Sequence, residues 1–168
     1  MDIRVATKGN DQYTEWGAGS RRCAVGRGGI AEKIREGDGV TPIGVWPLRR
    51  VLYRPDRMSA PRCVLPVTPL QPHDGWCEAP DDPDYNRLIR LPHRAAADSM
   101  WREDHLYDVV AVVGYNDAPV IAGRGSAIFI HLARGGFTPT AGCVALALPD
   151  LLEALAQLTP KDRLIVAG

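Results

Sequence analysis

Glycine and proline break the first two thirds of the chain into short pieces, several of them carrying Val and Ile. β-Branched side chains suit a pleated, partly buried surface, so these pieces predict strands joined by turns. The candidates are Ile3 to Ala6, Arg22 to Gly26, Pro42 to Leu48, Val51 to Tyr53, Tyr107 to Tyr115, Ser126 to Leu132 and Cys143 to Leu148. Leu164 to Val166 would be a final strand. The period then changes. Leu148, Leu151, Leu152, Leu155 and Leu158 recur at helical intervals and form one apolar stripe. Pro149 and Asp150 suit the first turn of that helix, and Thr159-Pro160 its end. A second, shorter helix is expected over Asp98 to Glu103. Pro55 to Pro92 is Pro-rich and weakly periodic, as expected of a long loop acting as a lid or binding wall. The pattern predicts a mainly β domain with one or two packed helices.

With 168 residues the chain is read as a single domain, 1–168, around one core. Twenty basic and twenty acidic residues cancel without a charged block, which removes support for nucleic acid or anionic lipid as partner. No apolar run reaches the length of a transmembrane segment. Met1 to Lys8 reads as an alternating strand, with no visible export signal; the protein is cytoplasmic, or its signal lies outside this sequence. Cys23, Cys63, Cys77 and Cys143 could pair in three ways, and spacing selects none. A zinc site would draw on Cys63, His73 and Cys77, but no Cys-x-x-Cys pair supports it. Gly26 to Ala31 matches a dinucleotide-binding pattern, yet the glycine-broken segment after it, Glu32 to Gly39, reads as a turn. Asp81, Asp82 and Asp84 read as a solvated turn.

The candidate chemistry lies where one predicted strand ends in His131 and the next opens with Cys143. If the two strands are neighbours, imidazole and thiol meet at one rim. Cysteine is a modest nucleophile until a base takes its proton, and an imidazolium then stabilises the thiolate. Gly142 lets a carbonyl approach the backbone, where N–H groups can hold an oxyanion. Taken alone, Cys143 also fits a small buried hydrophobe, and His131 a satisfied core residue. Cys77 competes as nucleophile but lacks a preceding glycine. Trp76, Tyr85 and Trp101 are candidates for a peptide groove or for core packing.

His131, Thr140, Gly142, Cys143 and Val144 together resemble the catalytic signature of the L,D-transpeptidase (YkuD) family, in which a histidine precedes a Ser/Thr-x-Gly-Cys segment. Gly37-Asp38-Gly39-Val40-Thr41-Pro42-Ile43-Gly44 resembles a stretch near the start of such domains. Asp74 to Cys77, Tyr85-Asn86 and Gly123 to Ser126 resemble features of a bacterial subgroup, so the likeness runs from about Ile3 to Val166. The resemblance implies a β-sandwich-like domain that acts on peptidoglycan stem peptides in the periplasm or cell envelope, with no cofactor and no metal. Cys143 would attack the carbonyl, His131 would serve as general base, and Gly142 with the Cys143 N–H would serve the oxyanion. Thr140 would contribute to substrate binding.

Two positions depart from the family pattern. Ala141 stands where many members have His, and Ala145 where many have Arg. Arg124 or Arg134 would then supply the missing charge to a substrate carboxylate. The alternatives to a transpeptidase are an L,D-carboxypeptidase or amidase, in which water takes the acyl group, a wall-peptide binding module without chemistry, and a cytoplasmic redox or zinc protein. The oligomeric state is not legible in the sequence.

Overall fold

The computed structural model describes residues 1–168. Strands β1 (Ile3–Lys8), β2 (Asp11–Trp16) and β3 (Gly19–Ala24) form an antiparallel meander. Its tight turns are made at Gly9 and Gly17, whose φ values of 64° and 56° lie in the left-handed region open to glycine. Short β4 (Ile30–Ala31) and β5 (Thr41–Pro42) pair in parallel. They lead into β6 (Gly44–Tyr53), the longest strand. Then follow β7 (Val67–Pro69), β8 (Asp74–Cys77), β9 (Leu88–Arg90), β10 (Ala97–Ser99), β11 (Val109–Val113), β12 (Phe129–Leu132) and β13 (Val144–Leu146). Helix α1 (Leu148–Gln157) and β14 (Arg163–Val166) complete the chain.

Hydrogen-bonded neighbours run β11-β12-β13-β3-β2-β1-β14-β6, and β6 pairs back onto β11, so the main sheet closes on itself. β7 adds in parallel to β6, and β10-β8-β9 forms a second, three-stranded sheet. The protein is mainly β, as its sequence predicts.

Central strands buried on both faces sort their side chains between two cores. Val109, Ala111 and Val113 of β11 enter the larger core, while Val110 and Val112 enter the smaller one. Ile130, Leu132, Val144 and Leu146 join the larger core; Phe129 and Cys143 join the smaller. Leu151, Ala154 and Leu155 of α1 close the larger core, with Leu158 just past the helix. Leu148, placed on the apolar stripe by sequence, is exposed. Trp76, Met100 and Tyr107 cover the smaller core from the side of the second sheet.

The structure corrects three expectations. Asp98 to Glu103 is not a helix: Ala97–Ser99 pairs with β8, and the Met100 N–H donates to Asp74 O at 2.9 Å. The backbone groups a helix would have used are taken by the edge of β8. Pro55 to Pro92 is no structureless loop, since β7, β8 and β9 lie inside it. Pro42 to Leu48 and Val51 to Tyr53 belong largely to one strand, β6. Strand β2, absent from the expected set, reads Asp-Gln-Tyr-Thr-Glu-Trp and buries only Thr14 and Trp16, too little apolar periodicity to stand out.

Candidate active site

Parallel pairing of β12 with β13 sets the site. Ile130 lies opposite Val144, and His131 opposite Ala145. Side chains alternate along a strand, so Phe129, His131, Cys143 and Ala145 all point to the same face. That face floors a cleft of about 370 Å³ whose wall includes His131, Cys143, Ala141, Ala145, Thr138 and Thr140.

The imidazole is fixed. His131 is 4% exposed, its ring lies edge-on to Tyr107 with centroids 5.5 Å apart, and Nδ1 is 2.9 Å from Leu132 O. A carbonyl only accepts, so Nδ1 carries the proton and Nε2 keeps its lone pair. Burial pulls the His131 pKa down to about 4, leaving the ring a neutral base at neutral pH. Tyr107 is held in turn by a 2.8 Å hydrogen bond from its hydroxyl to Asp98 Oδ2.

The thiol is parked. Cys143 is 7% exposed; Sγ accepts the Phe129 N–H at 3.3 Å and donates to Ala127 O at 3.1 Å. No hydrogen bond joins it to His131. Burial raises its pKa to about 12. The resting pair is therefore a neutral thiol and a neutral imidazole on one face, not a preformed ion pair.

A wall distant in sequence braces the cysteine segment. The buried Thr41 hydroxyl donates to Gly142 O and accepts the Gly26 N–H, both at 2.8 Å. Gly142 has φ +139°, and a Cβ there would lie 2.9 Å from Val40 O. A Cβ on Gly26 would meet Gly39 O at 2.0 Å, so only glycine allows this approach. Asp38 accepts the N–H groups of Ile34, Arg35 and Val40 and pairs with buried Lys33, which holds its pKa down at about 2 against the opposing effect of its own burial. The Gly-Asp-x-x-Thr-Pro stretch thus forms the scaffold on which Gly142 and Cys143 rest.

The side chain of Asn86, at φ 57°, makes four hydrogen bonds. Its Oδ1 accepts Trp76 Nε1–H and the Ala127 N–H, each at 3.0 Å. Its Nδ2 donates to Tyr115 O at 3.0 Å and Asn116 O at 2.8 Å. Asn86 therefore fixes Ala127, whose carbonyl receives the thiol. Sequence gave no sign of this role beyond its place in the Tyr85-Asn86 pair.

Several expected site residues lie elsewhere or do something different. Arg124 is exposed and absent from the cleft wall; its carbonyl accepts the Tyr115 hydroxyl at 2.6 Å. The arginines that line the cleft are Arg27, Arg102 and Arg134. Thr140 lines the cleft, but its hydroxyl donates to Cys143 O at 2.7 Å and accepts the Gly142 N–H at 3.1 Å, so it braces the loop. That bond also occupies the Gly142 N–H proposed for the oxyanion. The Cys143 N–H has no acceptor. Trp76 and Tyr85 are buried, Trp76 edge-on to Phe129, and Trp101 lies under the Arg54 guanidinium. All four cysteines are free, and Cys63, His73 and Cys77 do not converge. Cys77 lies instead near Asp82 and His93. There Arg94 pairs with Asp82 and Asp84, and His93 Nε2 is 3.2 Å from Asp84, which is how a turn is tied to its neighbour.

A closed, mainly β sheet presents a thiol and an imidazole on one face of a cleft, two residue types that nucleophilic catalysis can use. The chain belongs to the YkuD family, the L,D-transpeptidase catalytic domain, whose family model matches residues 4–166. Searches among curated proteins and among solved structures returned no match. The family acts on peptidoglycan peptides. No helix of the chain is long and apolar enough to cross a membrane.

Proposed function

We propose that this protein is a cysteine-dependent L,D-transpeptidase of the cell envelope, acting on peptidoglycan stem peptides through a thioester. The observation that carries the reading is the placement of Cys143 and His131 on one face of a single cleft within a YkuD domain. Substrate entry turns the thiol from Ala127 O toward Nε2 of His131, which takes the proton as sulfur attacks the carbonyl. Because the resting pair is neutral, proton transfer and attack occur together. The free Cys143 N–H holds the oxyanion, and the missing Gly142 side chain leaves room for it. His131 then returns the proton to the leaving amine. An amine of a second peptide takes the acyl group and frees the thiol.

Ala145 lies opposite His131, so no side-chain charge rises from that point of the floor. Arg134 and Arg27, on the cleft wall and free of ion-pair partners, are the candidates to meet a substrate carboxylate. The buried, hydrogen-bonded thiol favours one competing reading, a wall-peptide binding module. A defined tetrapeptide, with and without an amine acceptor, separates transpeptidase, hydrolase and binder. Wild type is expected to give a cross-linked product and Cys143→Ala none, with folding kept, since the change is small. Intact-mass spectrometry after exposure to a carbapenem should show an adduct on Cys143. Turnover by the Cys143→Ala protein would refute the assignment.

A further inference from the structure

Most charges on the cleft wall are already used within the protein. Lys33 is paired with Asp38, and Arg102 with Asp104 and Asp98. Glu36 accepts the Tyr85 hydroxyl, and Asp98 accepts that of Tyr107. Glu78 also lines the cleft and has neither a hydrogen-bond partner nor an ion pair through its carboxyl group.

Asp98, Lys33 and Glu78 all act on Cys143; Lys33 and Asp98 are already paired, so Glu78 is the one of these charges without a partner. Ser126 lines the same cleft: it is 7% exposed, and its Oγ has no hydrogen-bond partner although it lies close to the Tyr85 phenol. A buried hydroxyl without a partner is uncommon unless a ligand completes it. The carboxyl oxygens of Glu36, Glu78 and Asp98 do not converge as a metal site requires; the only such convergence is at Cys77, Asp82 and His93. Spread acceptors suit an ammonium group, which has three donors and longer contacts than a metal ion.

We propose that Glu78, backed by Glu36 and Asp98, holds the ammonium of the incoming acyl acceptor beside the sulfur and removes its proton. The cleft is then built to pass its acyl group to an amine rather than to water. The inference rests on the thioester reading above. Glu78 takes one proton from R–NH3⁺ and becomes a neutral acid. The freed nitrogen lone pair adds to the thioester carbonyl, and His131 takes a second N–H proton. The C–S bond breaks, its electron pair goes to sulfur, and His131 returns that proton to the thiolate. Glu78 releases its proton to solvent. Burial together with neighbouring Asp98 and Glu36 raises the Glu78 pKa to about 7, which suits a group that gains and loses a proton near neutrality.

The test is the partition of the acyl-enzyme, measured as the ratio of amide product to hydrolysed product with a defined tetrapeptide donor and an amine-bearing peptide acceptor. Glu78→Gln is expected to lower that ratio roughly tenfold while the rate of acyl-enzyme formation on Cys143 is kept, and Glu78→Asp to restore part of it. An unchanged ratio in a Glu78→Gln protein that forms acyl-enzyme normally overturns the proposal. A wild type that forms no acyl-enzyme defeats the thioester reading instead. The ammonium site is then tested by calorimetric titration of the Cys143→Ala protein with the same amine peptide and its N-acetylated form. The free amine should bind roughly tenfold more tightly, and Glu78→Gln should erase the difference. Equal binding of both forms by the Glu78-containing protein also overturns it.

Discussion

Asn86 joins three parts of the fold that lie far apart in sequence, so its loss should be felt in stability and at the thiol together. Replacing it by Ala removes both acceptor bonds at Oδ1 and both donor bonds at Nδ2. It leaves Trp76 Nε1, the Ala127 N–H and two carbonyls without partners. At roughly 1 kcal/mol per bond the loss is about 4 kcal/mol, and water entering from the adjoining surface cavity should return about 1 kcal/mol. The left-handed backbone at φ 57° adds roughly 1 kcal/mol for Ala but not for Gly. The expected cost is thus about 4 kcal/mol for Asn86→Ala and about 3 kcal/mol for Asn86→Gly. With a urea m-value of about 2 kcal/mol/M, the midpoint should fall by about 1.5 M in the Gly variant. Tryptophan fluorescence in a urea titration reads this directly. A shift of under about 0.3 M in Asn86→Gly would refute the reasoning, because the four bonds would then contribute almost nothing.

Thr41→Val keeps the shape but leaves the Gly26 N–H and Gly142 O unpaired; it should cost about 2–3 kcal/mol by urea titration and slow adduct formation at Cys143 by mass spectrometry. His131 has its pKa lowered from the ordinary 6.5 to about 4, so the unfolded chain binds the extra proton between those values. Stability should therefore fall as pH drops from about 6.5 to about 4, by up to about 1.4 kcal/mol per pH unit from this group, and not change through it above 6.5. Urea midpoints of wild type and His131→Gln across that range check this, and identical slopes would contradict it. With the Cys143 pKa raised to about 12, alkylation of Cys143 by iodoacetamide should keep rising with pH beyond 9. A plateau below pH 7 would mean a preformed thiolate–imidazolium pair.

The local pattern was enough to identify what each strand could bury and where the chemistry could lie. Short apolar runs with β-branched residues at 126–132 and 143–148 marked two buried strands, and the leucine period marked α1. His131 and Cys143 stood out because a histidine and a Gly-Cys pair at two strand ends can carry acyl transfer, and because their order resembles the family's signature; by residue type alone both also fitted the core. None of this required a partner from elsewhere. Strand β2 was missed because hairpin pairing between Gly9 and Gly17, not apolar periodicity, holds it. Asp98 to Glu103 was misread because short-range spacing cannot reveal that β8 competes for the same backbone groups.

Tertiary structure alone decided the electrostatics of the cleft. Arg124 is near His131 in the chain but faces solvent, whereas Glu78 and Arg27 are far from it and line its cavity. The Thr41–Gly142 bond spans 101 positions. Such placements follow from pairing of β3 with β13, continued by the Gly26–Thr140 bridge, and from the second sheet, where Glu78 follows β8 beside β10. The physical reason is that periodicity records how a residue meets its own strand or helix. Charge, hydrogen bonding and burial depend instead on distances set by chain closure.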